Sequence, residues 1–510
     1  MSAPIVLVAN RGEIARRVLR TVRRMGYRSI AVHSEPDAGA PALAEADFIV
    51  PLGGVTPAES YLDIEKILAA GRRHVSAGSR VLVHPGYGFL SENARFAEAV
   101  EAEGWLFLGP TAASITAMGD KTAALVEARE AGVPIIPSHV PDPGSTPDPQ
   151  ELIARAREIG LPLMVKAAAG GGGKGMRIAR TEAELPELVS AAAREALGAF
   201  GDGRLFLERY LEGARHVEVQ LLGDGAGKAI AIGERDCSIQ RRHQKLVEES
   251  PAPGLMAETR AAMHAAAIAL AERVDYRGAG TVEFILASSG EFYFLEMNTR
   301  LQVEHPVSEL VHGIDLVEAQ IRIAEGDADG SPFDLGTLGD LSPRGHAIEL
   351  RVYAEDPANG FLPSIGQLDL VHWADDPGVR VDAGVVTGQR VTIDYDPMLA
   401  KLIAHGAERA EAIDRLRAAI AGSCIAGVET TLAFGRELIG RDDFRRGDVF
   451  TTFIAERMPE WQRPEVGAEW RELIIAASRH LRVEAARGPT GGPGTLPTPS
   501  ETLDGWRHLG

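Results

Sequence analysis

Acids, amides and a guanidinium recur at alternate positions in TVEFILASSGEFYFLEMNTRLQVEHP, residues 281–306. From Glu296 onward, Asn298, Arg300, Gln302 and Glu304 fall on one parity, with Met297, Leu301 and Val303 on the other. An extended chain sets the polar group along one edge. Such a mixture is costly to bury unless it binds something. TVEFIL and EFYFLEMN flank ASSG, a hairpin signature. A turn centred between Ser288 and Ser289 pairs Glu283 with Phe294 and Glu296 with Thr281, which makes the two carboxylates diagonal neighbours on one face, about 7–8 Å apart at the backbone. With Asn298 they form a hard-oxygen set suited to Mg²⁺ bridging nucleotide phosphates. Arg300 has the fork to hold a small planar anion, and Glu304 can accept its proton. The competing reading is a solvated polar face, against which the apolar neighbours FIL and FYFL weigh.

Two further stretches supply positive charge and close backbone approach. ERDCSIQRRHQKLVEES gathers Arg235, Arg241, Arg242, His243 and Lys245 inside an acidic protein, which fits a pocket for phosphate and carbonate-like anions. Cys237 lies within it, but no base is designated to activate the thiol. HVEVQLLG places His216, Glu218 and Gln220 on one face; taken alone it reads as an ordinary amphipathic strand. KAAAGGGGKGMRIAR, residues 166–180, gives up side chains between two short apolar segments. It departs from both the dinucleotide and the Walker glycine patterns and reads as strand, glycine loop, strand, helix. Such a hairpin can fold over a triphosphate with backbone N–H groups toward its oxygens. A plain flexible loop is the alternative.

These segments need elements to hold them. APIVLVA, RGEIARRVLRTVRRMG and YRSIAVHS read as a βαβ unit whose helix shows Ile14, Val18, Leu19, Val22 and Met25 on one face. Mixed α/β structure continues to about residue 110, and VPDPGSTPDPQ punctuates the chain before the glycine hairpin. The expected fold class is α/β and α+β. Its parts are a Rossmann-like region 1–115, a nucleotide-binding region 116–330 with a lid at about 137–211, a third α/β region 331–455, and a Pro/Gly/Thr-rich tail 456–510. The net charge of −19 argues against nucleic acid or an anionic membrane as partner. Two cysteines, the lack of a signal-like start and the lack of a long apolar span point to the cytoplasm.

ANRGEIA, HPGYGFLSEN, MGDK, KAAAGGGGKGM, RHVEVQ, ERDCSIQRRHQK, EMNTRLQVEHPV, AEDPANGFLPS and YDPMLAKLI occur in an order that resembles the biotin carboxylases, the ATP-grasp component of biotin-dependent carboxylases. The likeness covers about residues 3–455. It implies that Lys121 and Lys166 contact ATP phosphates, that Gly172, Gly173 and Met176 cover the nucleotide, and that Glu208, Leu211, His216, Gln240 and His243 line its site. Glu283, Glu296 and Asn298 would hold Mg²⁺ or Mn²⁺. Bicarbonate would sit against Lys245, Arg300, Gln302 and the Val303 backbone, with Glu304 as base. Arg351 would stabilise the biotin enolate, with Tyr87 and Asp396 near the ring.

The resemblance further implies a carboxyphosphate route, a homodimer, and biotin carried on a separate carrier protein beside carboxyltransferase subunits, since no Met-Lys-Met biotinylation motif is present. Departures from the usual pattern fall at Glu429, Thr431 and His312, and none is expected to touch a catalytic position. The acyl acceptor stays open among acetyl-CoA, propionyl-CoA, other acyl-CoAs and pyruvate. A different ATP-grasp ligase, a nucleotide-binding regulator without turnover and a dehydrogenase remain as alternatives.

Overall fold

A computed structural model describes residues 3–75, 78–139, 149–167, 176–242, 244–327 and 329–464. The glycine run with Gly172 and Gly173, His243 and the tail beyond 464 lie outside the described residues. The compact unit containing all the sheets runs through Arg463, past the boundary at 455 drawn from sequence.

The chain opens as expected. Strand β1 (Ile5–Val8), helix α1 (Gly12–Arg24) and strand β2 (Arg28–His33) form a parallel βαβ unit in register Ile5 to Arg28. Ile14, Val18, Leu19 and Val22 are buried on the inner face of α1. Strands β3 (Phe48–Pro51), β4 (Val81–His84) and β5 (Leu106–Phe107) complete a parallel sheet in the order β3-β2-β1-β4-β5. Its β1–β4 crest carries the loop with Tyr87. Gly86 there has φ +65°, and a Cβ would come within 2.6 Å of the Asn10 amide, which donates to the carbonyls of Pro85 and Tyr87. Only glycine lets this loop close over Asn10.

Strands β6 (Ser138–His139), β7 (Leu163–Ala167), β8 (Arg177–Ala179) and β9 (Leu205–Arg209) form a second sheet in the order β6-β9-β7-β8. β7 and β8, on either side of the glycine run, pair antiparallel, as strand–loop–strand requires.

The third sheet positions the polar segments. Strands β10 (Arg215–Asp224), β11 (Ala229–Arg241), β12 (Gln244–Ser250), β13 (Arg277–Leu286), β14 (Phe292–Asn298) and β15 (His346–Tyr353) join the strands Met398–Gly406 and Val379–Ala383. All neighbours in this eight-stranded sheet are antiparallel. The β12–β15 pairing carries the sheet across residue 330, so the second and third sequence regions share one continuous surface.

The β13–β14 hairpin differs from the sequence expectation. Its loop has three residues, closed by Ala287 N–H donating to the Glu291 carbonyl, with Gly290 at φ +92°. The pairing then shifts at Leu295, so that Phe284 faces Phe294 but Glu283 faces Glu296 directly. In a regular strand Glu296 would share the buried face of Phe294. One extra residue sends it to the opposite face beside Glu283. The carboxylates are therefore a direct cross-strand pair and not diagonal neighbours. Nor is β10 half-solvated: His216 through Leu222 are all buried. Among the described residues no helix is long and apolar enough to cross a membrane.

Candidate active site

The site lies where β10, β12, β13 and β14 present their polar face to the segment running from Asn298 to Glu304. Glu283 Oε1 accepts from Lys245 Nζ (2.7 Å), Asn298 Nδ2 (2.9 Å) and Gln302 Nε2 (2.8 Å), and its Oε2 lies 3.0 Å from His216 Nε2. Burial alone would raise this carboxyl, but Lys245 and His216 hold it well below the usual range. Glu296 moves the other way, pushed up by burial and the Glu283 charge against the pull of Lys121 and Lys245. Two facing carboxylates, one of them disfavoured as an anion, fit a divalent cation, which would relieve that repulsion. The third expected ligand, Asn298, donates from Nδ2 to Glu283 and accepts at Oδ1 from Arg300 Nη2 (2.8 Å). His216, Glu218 and Glu283 also offer donor atoms within 4.8 Å of one another, yet Arg235 and Lys245 engage both carboxylates.

Lys245 binds the two halves of the site together. Its Nζ donates to Glu218 Oε2 (2.6 Å), Glu283 Oε1 (2.7 Å) and Glu304 Oε1 (2.6 Å). Burial would lower this ammonium, and the three carboxylates raise it well above its ordinary value. The other Glu304 oxygen accepts from Arg351 Nη2 at 2.9 Å. Burial favours the neutral acid, but Lys245, Arg351 and Arg235 outweigh it and hold Glu304 well below the usual carboxylate range. Arg300 donates through Nε to Glu92 (2.9 Å), and the Val303 carbonyl accepts from Lys401 Nζ (2.7 Å).

The basic cluster read from sequence divides. Arg235 is fully buried and spends its guanidinium on Glu218, Gln220, Ser308, Thr281 and Gln302. Arg241 pairs with Glu355 (2.6 Å). Arg241 belongs to the wall, whereas Arg235 and Lys245 both reach the polar centre, Arg235 at Glu218 and Gln302 and Lys245 at Glu218, Glu283 and Glu304. Cys237 is buried, and burial with the Glu218 charge lifts its thiol well above the ordinary value, so it remains protonated.

A cavity of about 900 Å³ opens between the β7–β9 sheet and the ends of β10 and β11. Lys166, Met176, Glu208, Leu211, His216 and Gln240 line it. Lys166 is ion-paired with Glu208, and Gln240 Nε2 lies 2.7 Å from His216 Nδ1. Lys121, the first residue of the helix Lys121–Glu130, feels the charges of Glu296, Lys166 and Glu208, while burial lowers its ammonium.

At the other end, the hydroxyl of the half-buried Tyr87 donates to Glu13 and feels the charges of Arg351 and Asp396; desolvation and Glu13 raise it well above its ordinary value. Asp396 is exposed and accepts from the Met398 N–H (2.8 Å). Thr431 does touch this end: its Oγ1 donates to the Arg351 carbonyl (3.2 Å) and accepts from the Tyr353 N–H (3.0 Å). Sequence reasoning also passed over Glu248, whose Oε1 accepts from Arg351 Nε at 2.5 Å, and Lys401, which has Glu13 3.2 Å away. Strand parity hides Glu248. An extra residue at Leu246, between the pairs Ile239–Val247 and Gln240–Lys245, brings Lys245 and Glu248 to one face although they are three apart.

Family models match residues 3–115 (biotin carboxylase, N-terminal domain), 120–329 (carbamoyl-phosphate synthase L chain, ATP binding domain) and 349–456 (biotin carboxylase C-terminal domain). A biotin carboxylase from Nostoc is 46% identical over 452 residues, covering 88% of this chain and 98% of that protein. The chain belongs to the biotin carboxylase family. Family members are ATP-dependent ligases. This biotin carboxylase chain is also 46% identical to the propionyl-CoA carboxylase alpha chain of Ruegeria pomeroyi, over 94% of its own length and 72% of that protein. The biotin carboxylase domain dimer of Hydrogenobacter thermophilus 2-oxoglutarate carboxylase, solved with MgADP, ADP and bicarbonate, superposes with a TM-score of 0.84. It is 41% identical, and the match covers 91% of this chain and all of that one.

Proposed function

We propose that this chain carboxylates biotin on a separate carrier protein, using ATP and bicarbonate, as the first half-reaction of an acyl-CoA carboxylase. The observation that carries the reading is the clamp on Glu304, with Lys245 on one carboxylate oxygen and Arg351 on the other, beside the Glu283–Glu296 pair. Bicarbonate entering against Lys245, Arg300 and Gln302 competes for the cations that hold Glu304 ionised. As they turn to the substrate, the proton affinity of Glu304 rises toward that of a working base.

Glu304 takes the bicarbonate proton, and the freed oxygen attacks the γ-phosphorus of ATP with ADP leaving. The resulting carboxyphosphate breaks to CO₂ and phosphate. The phosphate removes the N1′ proton of biotin, and the ring nitrogen attacks CO₂ while Arg351 faces the developing ureido oxyanion. Glu283, Glu296 and Asn298 would hold a Mg²⁺ or Mn²⁺ ion, which supplies positive charge at the phosphates when bound. Lys121 and Lys166 add charge at the same end, while Met176, Glu208, Leu211, His216 and Gln240 frame the nucleotide. Tyr87 and Asp396 border the biotin end.

The alignment with the Ruegeria alpha chain supports an acyl-CoA carboxylase context, with carrier and carboxyltransferase subunits as partners. The Hydrogenobacter dimer supports a homodimer. Two unpaired cysteines suit the cytoplasm. The test is ADP release by the purified chain with ATP, Mg²⁺, bicarbonate and free biotin. Release that requires both bicarbonate and biotin is expected, and release indifferent to both would contradict the reading.

A further inference from the structure

A second glutamate pair lies on the far side of Arg351. Glu248 on β12 and Glu349 on β15 are direct cross-strand partners, and Arg351 follows two residues after Glu349 on the same face. Both carboxylates have 0% exposure. Glu248 Oε1 accepts from Arg351 Nε (2.5 Å), but its Oε2 and both oxygens of Glu349 have no hydrogen-bond partner among the described residues. Lys401, the cation on the next strand, is committed to the Val303 carbonyl and Glu13. Buried anions without partners are too costly to keep, whereas one proton between facing carboxylates removes a charge and provides a donor.

The guanidinium is thus gripped on two edges, Nε by Glu248 and Nη2 by Glu304, while Nη1 has, among the described residues, only the Tyr353 hydroxyl at 3.5 Å. Without Glu248, the fork is free to turn and take both oxygens of Glu304, its best remaining partner. That would quench the base and withdraw the arginine from the substrate.

Resting on the biotin carboxylase reading above, we propose that Glu248 is a positioning residue that holds Arg351 across Glu304, and that Glu349 beside it works as the neutral acid. The groups that face Glu248 are Arg351, Tyr353 and Glu349 from β15, Glu304 from the adjoining segment, Cys237 from β11 and Lys245 on its own strand. Burial, opposed by Arg351 and reinforced by Glu304, pushes Glu248 up to about 7, and burial holds Glu349 well above the carboxylate range. Falling pH therefore protonates Glu248 near neutrality and loosens its hold on Nε.

The test is biotin-dependent ADP release by the full chain, measured as a function of pH for the wild type, Glu248→Gln and Glu349→Gln. For Glu248→Gln the expected result is a fall in kcat of about tenfold or more with the KM for ATP within about twofold. Its rate should be flat from about pH 6 to about pH 8, where the wild type climbs. Glu349→Gln should stay within about twofold of the wild type throughout, because it replaces an acid that is already neutral. Glu248→Gln with wild-type rate and pH profile, or Glu349→Gln as impaired as Glu248→Gln, would overturn the proposal. If Glu248→Gln does not fold, Glu248→Asp serves: it keeps the charge with shorter reach, so a reduced rate that still climbs with pH is expected, and an undiminished rate overturns the idea. A wild-type enzyme indifferent to biotin would instead sink the functional reading itself.

Discussion

Two glutamate pairs face each other across antiparallel strands of one sheet, and both border the clamp on Glu304: Glu283 with Glu296, and Glu248 with Glu349. In each pair a cation holds one member, Lys245 on Glu283 and Arg351 on Glu248. In each pair the second member is pushed up by burial and its neighbour's charge. The difference is access. Glu296 is half-buried and close to Lys121 at the nucleotide end, whereas Glu349 is sealed. An accessible pair can be neutralised by a metal ion, and a sealed one only by a proton.

The largest expected break in this contrast is Glu296→Gln. Losing one carboxylate of the accessible pair should lower Mg²⁺-dependent turnover by about a hundredfold or more, since removing charge stabilisation of transferring phosphate costs several kcal/mol. It should also abolish the rise in melting temperature that Mg²⁺ with ATP gives the wild type. A melting shift equal to that of the wild type would show that Glu296 holds no metal.

Glu349→Gln gives the smaller effect and the opposite sign. A carboxyl with a raised folded value binds a proton on folding, so the wild type gains stability below about pH 4.5 and loses it as pH climbs toward the raised value. The amide has nothing to titrate. The variant should therefore melt above the wild type at alkaline pH, with the gap closing as pH falls. A constant deficit at every pH would mean that Glu349 is an ordinary anion, and the contrast between the pairs would fail.

The contrast also marks what could be read from the residues alone. The βαβ opening, the strand–loop–strand around the glycines and the hairpin at ASSG were legible, because apolar periodicity and turn residues report local geometry. The grouping of Glu283 with Glu296 was legible from the hairpin, and that of Arg300, Gln302 and Glu304 with Glu296 from alternation, although the strand ends at Asn298 and the chain bends at Arg300 and turns at Val303 and Glu304 where an extended edge was expected. The direct meeting of Glu283 and Glu296 was not, nor was the pairing of Lys245 with Glu248 on one face. Both depend on single extra residues, Leu295 and Leu246, and a strict period of two cannot foresee an inserted residue. Glu248 and Glu349 meet through the pairing of β12 with β15, across a hundred residues of sequence, and Lys401 arrives beside Arg351 on the strand Met398–Gly406; no local signal announces either.

The clamp itself is tested most directly by biotin- and bicarbonate-dependent ADP release in Glu304→Gln. The amide keeps the shape between Lys245 and Arg351 but cannot take a proton, so turnover should fall by about a hundredfold or more, with the KM for ATP little changed. Undiminished turnover would show that the group held between those two cations is not the base.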